Sequence, residues 1–386
     1  MSVWASVSLG ELVEVKGGKR LPLGHKLQIE KNNAPYIRIV DFDGGIIDQS
    51  KMLFVPTQTQ PLIQRYRVAR GDVFISIVGT VGVVGVIPKS LDGAFLTENA
   101  AKLTSFEPVL NASYLSYVLR SSDGQNSIRE QTVGSTQPKL ALHRIREISI
   151  PLPPIDVQKA IAEVLGALDD KIAANTKIIA LLDSHTSLEY SAAIAEASHV
   201  TRLEEVAHFH NKKRIPLSAP ERDARPGSVP YYGASGIFGN VDEALFDAPL
   251  VLVGEDGSVV KDDGTAVIQY IWGPSWVNNH AHVLTGAGIS TELLYVAIKR
   301  EQVTMLVTGA VQPKINMGNL KRLQLTIPNA ESLKKIEALV NAETASKRGF
   351  FEENRTLAAT RDAFLPQLMS GKLRVRDAEI AVQAVV

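Results

Sequence analysis

Two stretches of this chain share nearly the same residues in the same order. Gly134-Ser135-Thr136-Gln137-Pro138-Lys139-Leu140 precedes an apolar run that ends in Pro151-Leu152-Pro153-Pro154. Gly309-Ala310-Val311-Gln312-Pro313-Lys314-Ile315 precedes one that ends in Leu325-Thr326-Ile327-Pro328. Further landmarks keep the same order. Leu9-Gly10-Glu11-Leu12 parallels Leu203-Glu204-Glu205-Val206, and Lys19-Arg20-Leu21-Pro22-Leu23 parallels Lys213-Arg214-Ile215-Pro216-Leu217. Ala34-Pro35-Tyr36-Ile37 parallels Val229-Pro230-Tyr231-Tyr232. Val78-Gly79-Thr80-Val81-Gly82 answers Val253-Gly254-Glu255-Asp256-Gly257, and Glu98-Asn99 answers Asn278-Asn279. Tyr114-Leu115-Ser116-Tyr117-Val118 matches Glu292-Leu293-Leu294-Tyr295-Val296. Ordered self-similarity of this kind marks a duplicated structural unit. Divergence between the landmarks points to one scaffold carrying two different surfaces.

Within each copy the pattern is that of a compact α+β domain, over residues 1–153 and 199–328. Asp72–Val78 and Pro249–Val253 are apolar, β-branched and bounded by glycines, as strands are. Gly79–Gly85 and Gly254–Gly257 read as turns, and Ala112–Arg120 and Thr291–Arg300 as short helices. After each domain the pattern becomes helical, over residues 154–198 and 329–375, leaving 376–386 as a tail. Ile161, Leu165, Leu168, Ile172, Asn175, Ile179 and Leu182 recur at alternating spacings of four and three, a heptad seam with one polar member. Ile336, Val340, Phe350, Leu357 and Phe364 follow a similar stripe, with Asn354 the polar interruption and Glu343 and Lys347 also on the seam. A helix of about 40 residues is roughly 60 Å long, too long to fold into either domain, so the two are expected to pair with each other. The order domain, helix, domain, helix makes that pair antiparallel, with an internal pseudo-two-fold suited to duplex DNA.

Composition narrows the function. With 41 basic and 41 acidic residues the chain has no net charge, which weakens a picture of a basic protein coating nucleic acid but leaves local basic faces. Without cysteine it has no disulfide, thiolate metal site or cysteine nucleophile. No secretory signal and no apolar run near eighteen residues are evident, so a cytoplasmic location without membrane contact is expected.

The residue types that suit phosphate or base contacts fall in the matched loops. They are Lys16, Lys19, Arg20, Thr80, Asn99, Ser135, Thr136, Gln137 and Lys139 in the first copy. Lys212, Lys213, Arg214, Tyr232, Ser235, Asn279, His280, Gln312 and Lys314 are those of the second. Read locally, the Gly…Gln-Pro-Lys segments either hold phosphates or set a turn. His208-Phe209-His210 and His280-Ala281-His282 are His-x-His pairs, but the first copy has neither and no carboxylate is tied to them by spacing. No metal site is therefore expected. Glu255, Asp256, Lys261, Asp262 and Asp263 lack the spacing of a nuclease, and their glycines favour a solvated hairpin. No Walker A loop, dinucleotide fingerprint or methyltransferase signature is present, and no catalytic residue is assigned.

Gln137–Ile172, "QPKLALHRIREISIPLPPIDVQKAIAEVLGALDDKI", and Phe364–Val375, "FLPQLMSGKLRV", resemble the specificity subunit of type I restriction–modification systems. The resemblance implies two target-recognition domains, each reading half of a split site in double-stranded DNA. Two antiparallel helices would set the spacer and dock two methyltransferase subunits. It places S-adenosylmethionine in those subunits, and ATP and Mg in restriction/translocase subunits, with no cofactor bound by this chain. The second helix entry departs from the first, since Ile327-Pro328-Asn329-Ala330-Glu331-Ser332 lacks the Pro-Leu-Pro-Pro and the Gln. The recognition subunit of a fused restriction–methylation enzyme, or a scaffold that binds no DNA, is the alternative.

Overall fold

The computed structural model describes residues 4–43, 46–134, 136–309 and 312–383. Ser135 lies outside the described residues, as do Ala310 and Val311. The chain forms two compact units: Met1–Ala174 with Glu353–Val386, and Asn175–Glu352. Each therefore holds one copy of the repeat and one half of each long helix.

In the first unit, strands Glu14–Gly17, Ala100–Thr104, Val73–Ser76 and Val84–Val86 lie side by side in that order, all antiparallel. A second sheet joins Leu53–Phe54, Pro35–Ile37 and Phe95–Leu96, the last two parallel. Ser6–Ser8 and Ser149–Pro151 pair at the point where the chain enters and leaves. The second unit repeats this plan with Ala207–Phe209, Ala281–Gly286, Leu250–Gly254 and Ile268–Ile271. Its second sheet is Ile237–Val241, Val229–Tyr232, Pro274–Val277 and Phe246–Asp247, and its closing pair is Ser198–Arg202 with Gln324–Pro328. Helices Ala112–Arg120 and Thr291–Lys299 form where the sequence places them. Their side-chain caps are Asn111 to the Tyr114 N–H and Ser290 to the Leu293 N–H. Those caps align Tyr114 with Leu293, one residue away from the alignment by sequence.

The long helices run over Ile155–Glu196 and Ala330–Met369. In the first unit Ile161, Leu165 and Leu168 share one core with Leu357, Leu365 and Leu368, with Ile172 and Phe364 packed at its edge. Asp169 meets Arg361 at 2.6 Å and Lys171 meets Glu353 at 3.5 Å, which fixes the antiparallel sense there. In the second unit Ile336 and Val340 share a core with Tyr190. Lys347 reaches Asp183 at 2.7 Å, and Thr186 donates to Glu343, again antiparallel. Ile179 and Asn175 are buried, while Leu182, Phe350 and Asn354 are half-buried. Between Val340 and Leu357 the buried residues of the second helix are Thr344 and Lys347, so the seam there is polar where Phe350 was expected to fill it. A buried ammonium is tolerated because Asp183 pairs with it.

The Gln of the first helix entry has a structural task. Gln158 is wholly buried, donating to Val109 O and Pro153 O at 2.8 Å and accepting the Asn111 N–H at 2.9 Å. Three backbone groups from separate segments are satisfied by one buried amide. In the second unit the N–H equivalent to that of Asn111, on the cap residue Ser290, is accepted by Glu337 of the second long helix at 2.5 Å, while Asn329 only caps its own helix through the Ser332 N–H at 3.0 Å. Beyond the second helix, Val375–Gln383 is a further helix rather than a tail, and its Ala378 and Val382 join the core of the first unit. Among the described residues no helix is long and apolar enough to cross a membrane.

Candidate nucleic-acid interface

Three segments of the first unit converge at the end of its main sheet. The turn after Val73–Ser76, the residue before Ala100–Thr104 and the Gln-Pro-Lys loop are joined through their backbones. Ile77 N–H donates to Asn99 O at 2.8 Å, Leu140 N–H to Ile77 O at 2.9 Å, and Gly79 N–H to Pro138 O at 3.2 Å. Lys139 exchanges two bonds with Val133, both 2.9 Å, which closes the loop on itself. Gly134 makes that closure possible. Its φ is +93°, and a Cβ there would sit 3.0 Å from Gln137 O.

The same bonds recur in the second unit. Glu255 N–H donates to His280 O at 2.8 Å, Ile315 N–H to Glu255 O at 2.9 Å, and Gly257 N–H to Pro313 O at 3.2 Å. Lys314 closes on Thr308 at 2.8 and 2.9 Å, and Gly309 has φ +90°. The repeated Gly…Gln-Pro-Lys segment is therefore a turn whose backbone locks a junction of loops. These bonds also correct two landmarks. Ser76 pairs with Ala100 and Gly254 with Ala281, so Gly79 corresponds to Gly257 rather than Gly254, and Asn99 to His280 rather than Asn279. The Val-Gly pairs match by identity, but strand register decides equivalence.

The basic segments border both junctions. Gly18 runs so close that a Cβ would lie 2.0 Å from Thr97 O, and Lys19 N–H donates to Leu96 O. Arg20 then meets Glu98 at 2.6 Å, while its own side chain remains 79% exposed. Burial raises the Glu98 pKa, but hydrogen bonds from Arg20 and Thr97 outweigh it and hold the carboxylate below its usual range. Tyr36 donates to Lys19 O at 2.9 Å, and burial pushes its hydroxyl up to about 12, so it stays a donor. Lys16 pairs with Glu14, and Lys19, Thr80, Thr136, Gln137 and Lys139 are exposed. In the second unit Lys212, Lys213, Ser235, Asn279, His280, Gln312 and Lys314 are exposed and Tyr232 is half-buried.

The centre of the second junction is anionic. Glu255 accepts from Arg214 at 2.6 Å and lies 3.4 Å from the Lys314 ammonium and 3.6 Å from His282 Nδ1. Arg214, only 13% exposed, also donates to Ala281 O at 2.7 Å. Burial raises Glu255, yet the Arg214 hydrogen bond and the charges of His282, Arg214 and Lys314 bring it below the ordinary value. Glu255 thus does not belong to a solvated hairpin, as the glycines suggested. Sequence reading missed it as an organiser because nothing local distinguishes it from its neighbours. Asp256 pairs with the His280 ring, and Asp263 caps Thr265 at 2.7 Å. His282 is fully buried. Asn211 Nδ2 donates to its Nδ1 at 2.8 Å, so its Nε2–H donates to Ile315 O at 2.7 Å, and burial lowers its pKa. His210 bonds Thr285 instead, at 2.8 Å. Among the described residues no three His, Asp or Glu side chains converge as a metal site would require.

Two α+β units, each built round its own copy of the same loop junction and each carrying half of two long paired helices, define a class of proteins made by duplication of one domain and one helix. The sequence matches the family described as "Type I restriction modification DNA specificity domain" over residues 1–184 and again over 196–342, and the chain belongs to that family. A Haemophilus influenzae relative, "Putative type I restriction enzyme specificity subunit S.HindORF215P", is 30% identical over 144 residues, 37% of this chain and 36% of that protein. The MjaX specificity subunit of Methanocaldococcus jannaschii, described in the same terms, is 22% identical over 97% of this chain and 94% of its own length. A crystal structure of the type I restriction–modification system S subunit from M. genitalium shares the fold. Its TM-score is 0.60 at 18% identity, covering 95% of this chain and 96% of that one. These matches do not favour the fused-enzyme alternative.

Proposed function

We propose that this chain selects the DNA sequence for a type I restriction–modification complex, each unit reading one half of a bipartite site. The observation that carries the reading is the doubled junction. Identical backbone bonds present different side chains at equivalent places: Ile77 and Glu255, Val78 and Asp256, Asn99 and His280. A constant frame with variable contents is what two half-site readers need. In this reading the exposed Lys19, Lys139, Lys212, Lys213 and Lys314 meet phosphates, which position without specifying. Asn99, Gln137, Asn279, His280 and Gln312 are the candidates for base edges. The long helices set the spacer between half-sites and dock two methyltransferase subunits. Those subunits bring S-adenosylmethionine, and restriction/translocase subunits bring ATP and Mg. The protein works in the cytoplasm.

The test is an exchange of residues 199–328 for those of a relative, followed by mapping of modified adenines across the host genome. One half of the methylated sequence should change while the other half and the spacer persist. Change in both halves, or in neither, would end the modular reading.

A further inference from the structure

The second unit carries a hairpin that the first builds differently. Strands Val229–Tyr232 and Ile237–Val241 are joined by Gly233-Ala234-Ser235-Gly236, and the second strand opens with Ile237-Phe238-Gly239. Ile237 and Phe238 are each 57% exposed. Leaving two adjacent large apolar side chains in water forgoes the gain of burying them. The fold nevertheless holds them there. A Cβ on Gly233 would sit 2.2 Å from Phe238 Cε2, so the ring lies against bare backbone that only glycine offers. Gly236 and Gly239 flank the pair at φ +156° and +139°, conformations that favour glycine. Gln269 Nε2 donates to both Gly233 O and Ala234 O, at 2.9 and 3.0 Å, which braces the tip.

The tip is continuous with the junction. Asn278 N–H donates to Tyr232 O at 3.0 Å, and Asn278 Oδ1 accepts the His280 N–H at 2.8 Å. The same Gly233 position lies 3.2 Å from Asn278 Nδ2, which puts the Phe238 ring on the side of that segment. His280 sits in the junction with Glu255, and Arg214 donates to the neighbouring Asn279 O at 3.3 Å. In the first unit the aromatic that follows the corresponding strand, Phe42, stacks inward on Phe74 at 3.8 Å between centroids. One unit spends its aromatic on the core and the other leaves it exposed beside the segment that carries Asn278, Asn279 and His280.

We propose that Phe238, with Ile237, is a specificity-determining contact of the second unit, an apolar surface that meets thymine 5-methyl groups in the major groove. This rests on the DNA-reading function proposed above. The exposed Lys212 and Lys213 of the segment that carries Arg214 suit a polyanion. Among the base edges in the major groove of a polyanionic duplex, the thymine methyl is the apolar feature. An apolar contact displaces no counterions, so it changes affinity without changing salt dependence.

The experiment uses the assembled methyltransferase complex and duplexes bearing the mapped site, with thymines replaced one at a time by uracil. In the second half-site at least one replacement should weaken wild-type binding by about fourfold, the worth of one buried methyl. Phe238→Ala should abolish that discrimination while leaving uracil effects in the first half-site and the salt slope unchanged. Phe238→Leu should retain part of it. Thymine–uracil discrimination that survives Phe238→Ala at every position, or a reduced salt slope, overturns the inference. So does a 2-aminopurine signal of unstacking that depends on Phe238, since the ring would then be a wedge between bases. A complex with no sequence preference would sink the DNA-reading function, and this inference with it. A sequence-selective complex indifferent to Phe238 would sink this inference alone.

Discussion

The two junctions share a backbone and differ in their electrical centre. In the first, Ile77 and Val78 occupy the positions held by Glu255 and Asp256 in the second, and the cations stay at the rim with Arg20 largely in water. In the second, Arg214 and Lys314 turn inward onto Glu255. The comparison teaches that the loop frame does not depend on what fills it. Backbone bonds and a left-handed glycine fix the geometry, so the side chains at the centre are free to differ.

The largest difference should appear in stability. Glu255→Gln strips the charge from a partly buried hub and leaves Arg214 without its counter-ion, at a cost of about 1–3 kcal/mol in the second unit. Glu98→Gln disturbs a pair whose arginine is mostly solvated, and denaturation of the first unit should shift too little to resolve. Denaturant melts followed by hydrogen exchange in each unit would measure both. Equal losses would mean the two junctions are not electrically different.

Acid should separate the units next. His282 has its folded pKa below the ordinary 6.5 through burial, and His210 is lowered likewise. The unfolded chain therefore takes up their protons first, so this contribution is complete above 6.5 and is lost as pH falls from there towards the folded value. His185 has the opposite sign, raised by Glu343, but it is exposed and screened. Glu98 and Glu255, both lowered, contribute above the ordinary carboxylate value of 4.5 and lose that contribution only as pH falls through their folded values. The second unit should accordingly soften in mild acid while the first holds until the carboxylate range. Melting profiles against pH check this, and His282→Asn should flatten the upper part of the decline.

A smaller effect concerns DNA. Lys139 is exposed with its counterpart carboxylate replaced by Ile77, whereas Lys314 is shared with Glu255. Lys139→Ala should lower the slope of log K against log salt by about one, and Lys314→Ala by less. Binding titrations across a salt series decide it, and equal slopes would remove the distinction.

Much of this was legible beforehand for physical reasons that particular residues show. The heptad spacing from Ile161 to Leu182 reports a helix directly, because a buried stripe must recur with the helical turn. The basic segments aligned correctly, Lys16 with His210 and Arg20 with Arg214, since both cross the same strand. The alignment of Gly79 with Gly254 slipped by three residues because a Val-Gly pair recurs on the strand, and only hydrogen-bond register distinguishes the two. Lys347 looked like a fault in the second seam, and it is buried there because Asp183 from the other helix receives it.

The sequence by itself determined the duplication, the helix–domain alternation and the family resemblance. Each of these is written in local order: periodicity, glycine placement and motif spacing survive without knowledge of the fold. Only the tertiary structure decided that each Gly…Gln-Pro-Lys segment is a turn locking a junction, that Glu255 gathers Arg214, Lys314 and His282, that Gln158 satisfies three backbone groups, and that Phe238 faces out where Phe42 faces in. Those outcomes depend on residues brought together from distant parts of the chain. Charge pairing, burial and close approach act through space, and linear spacing carries no record of them.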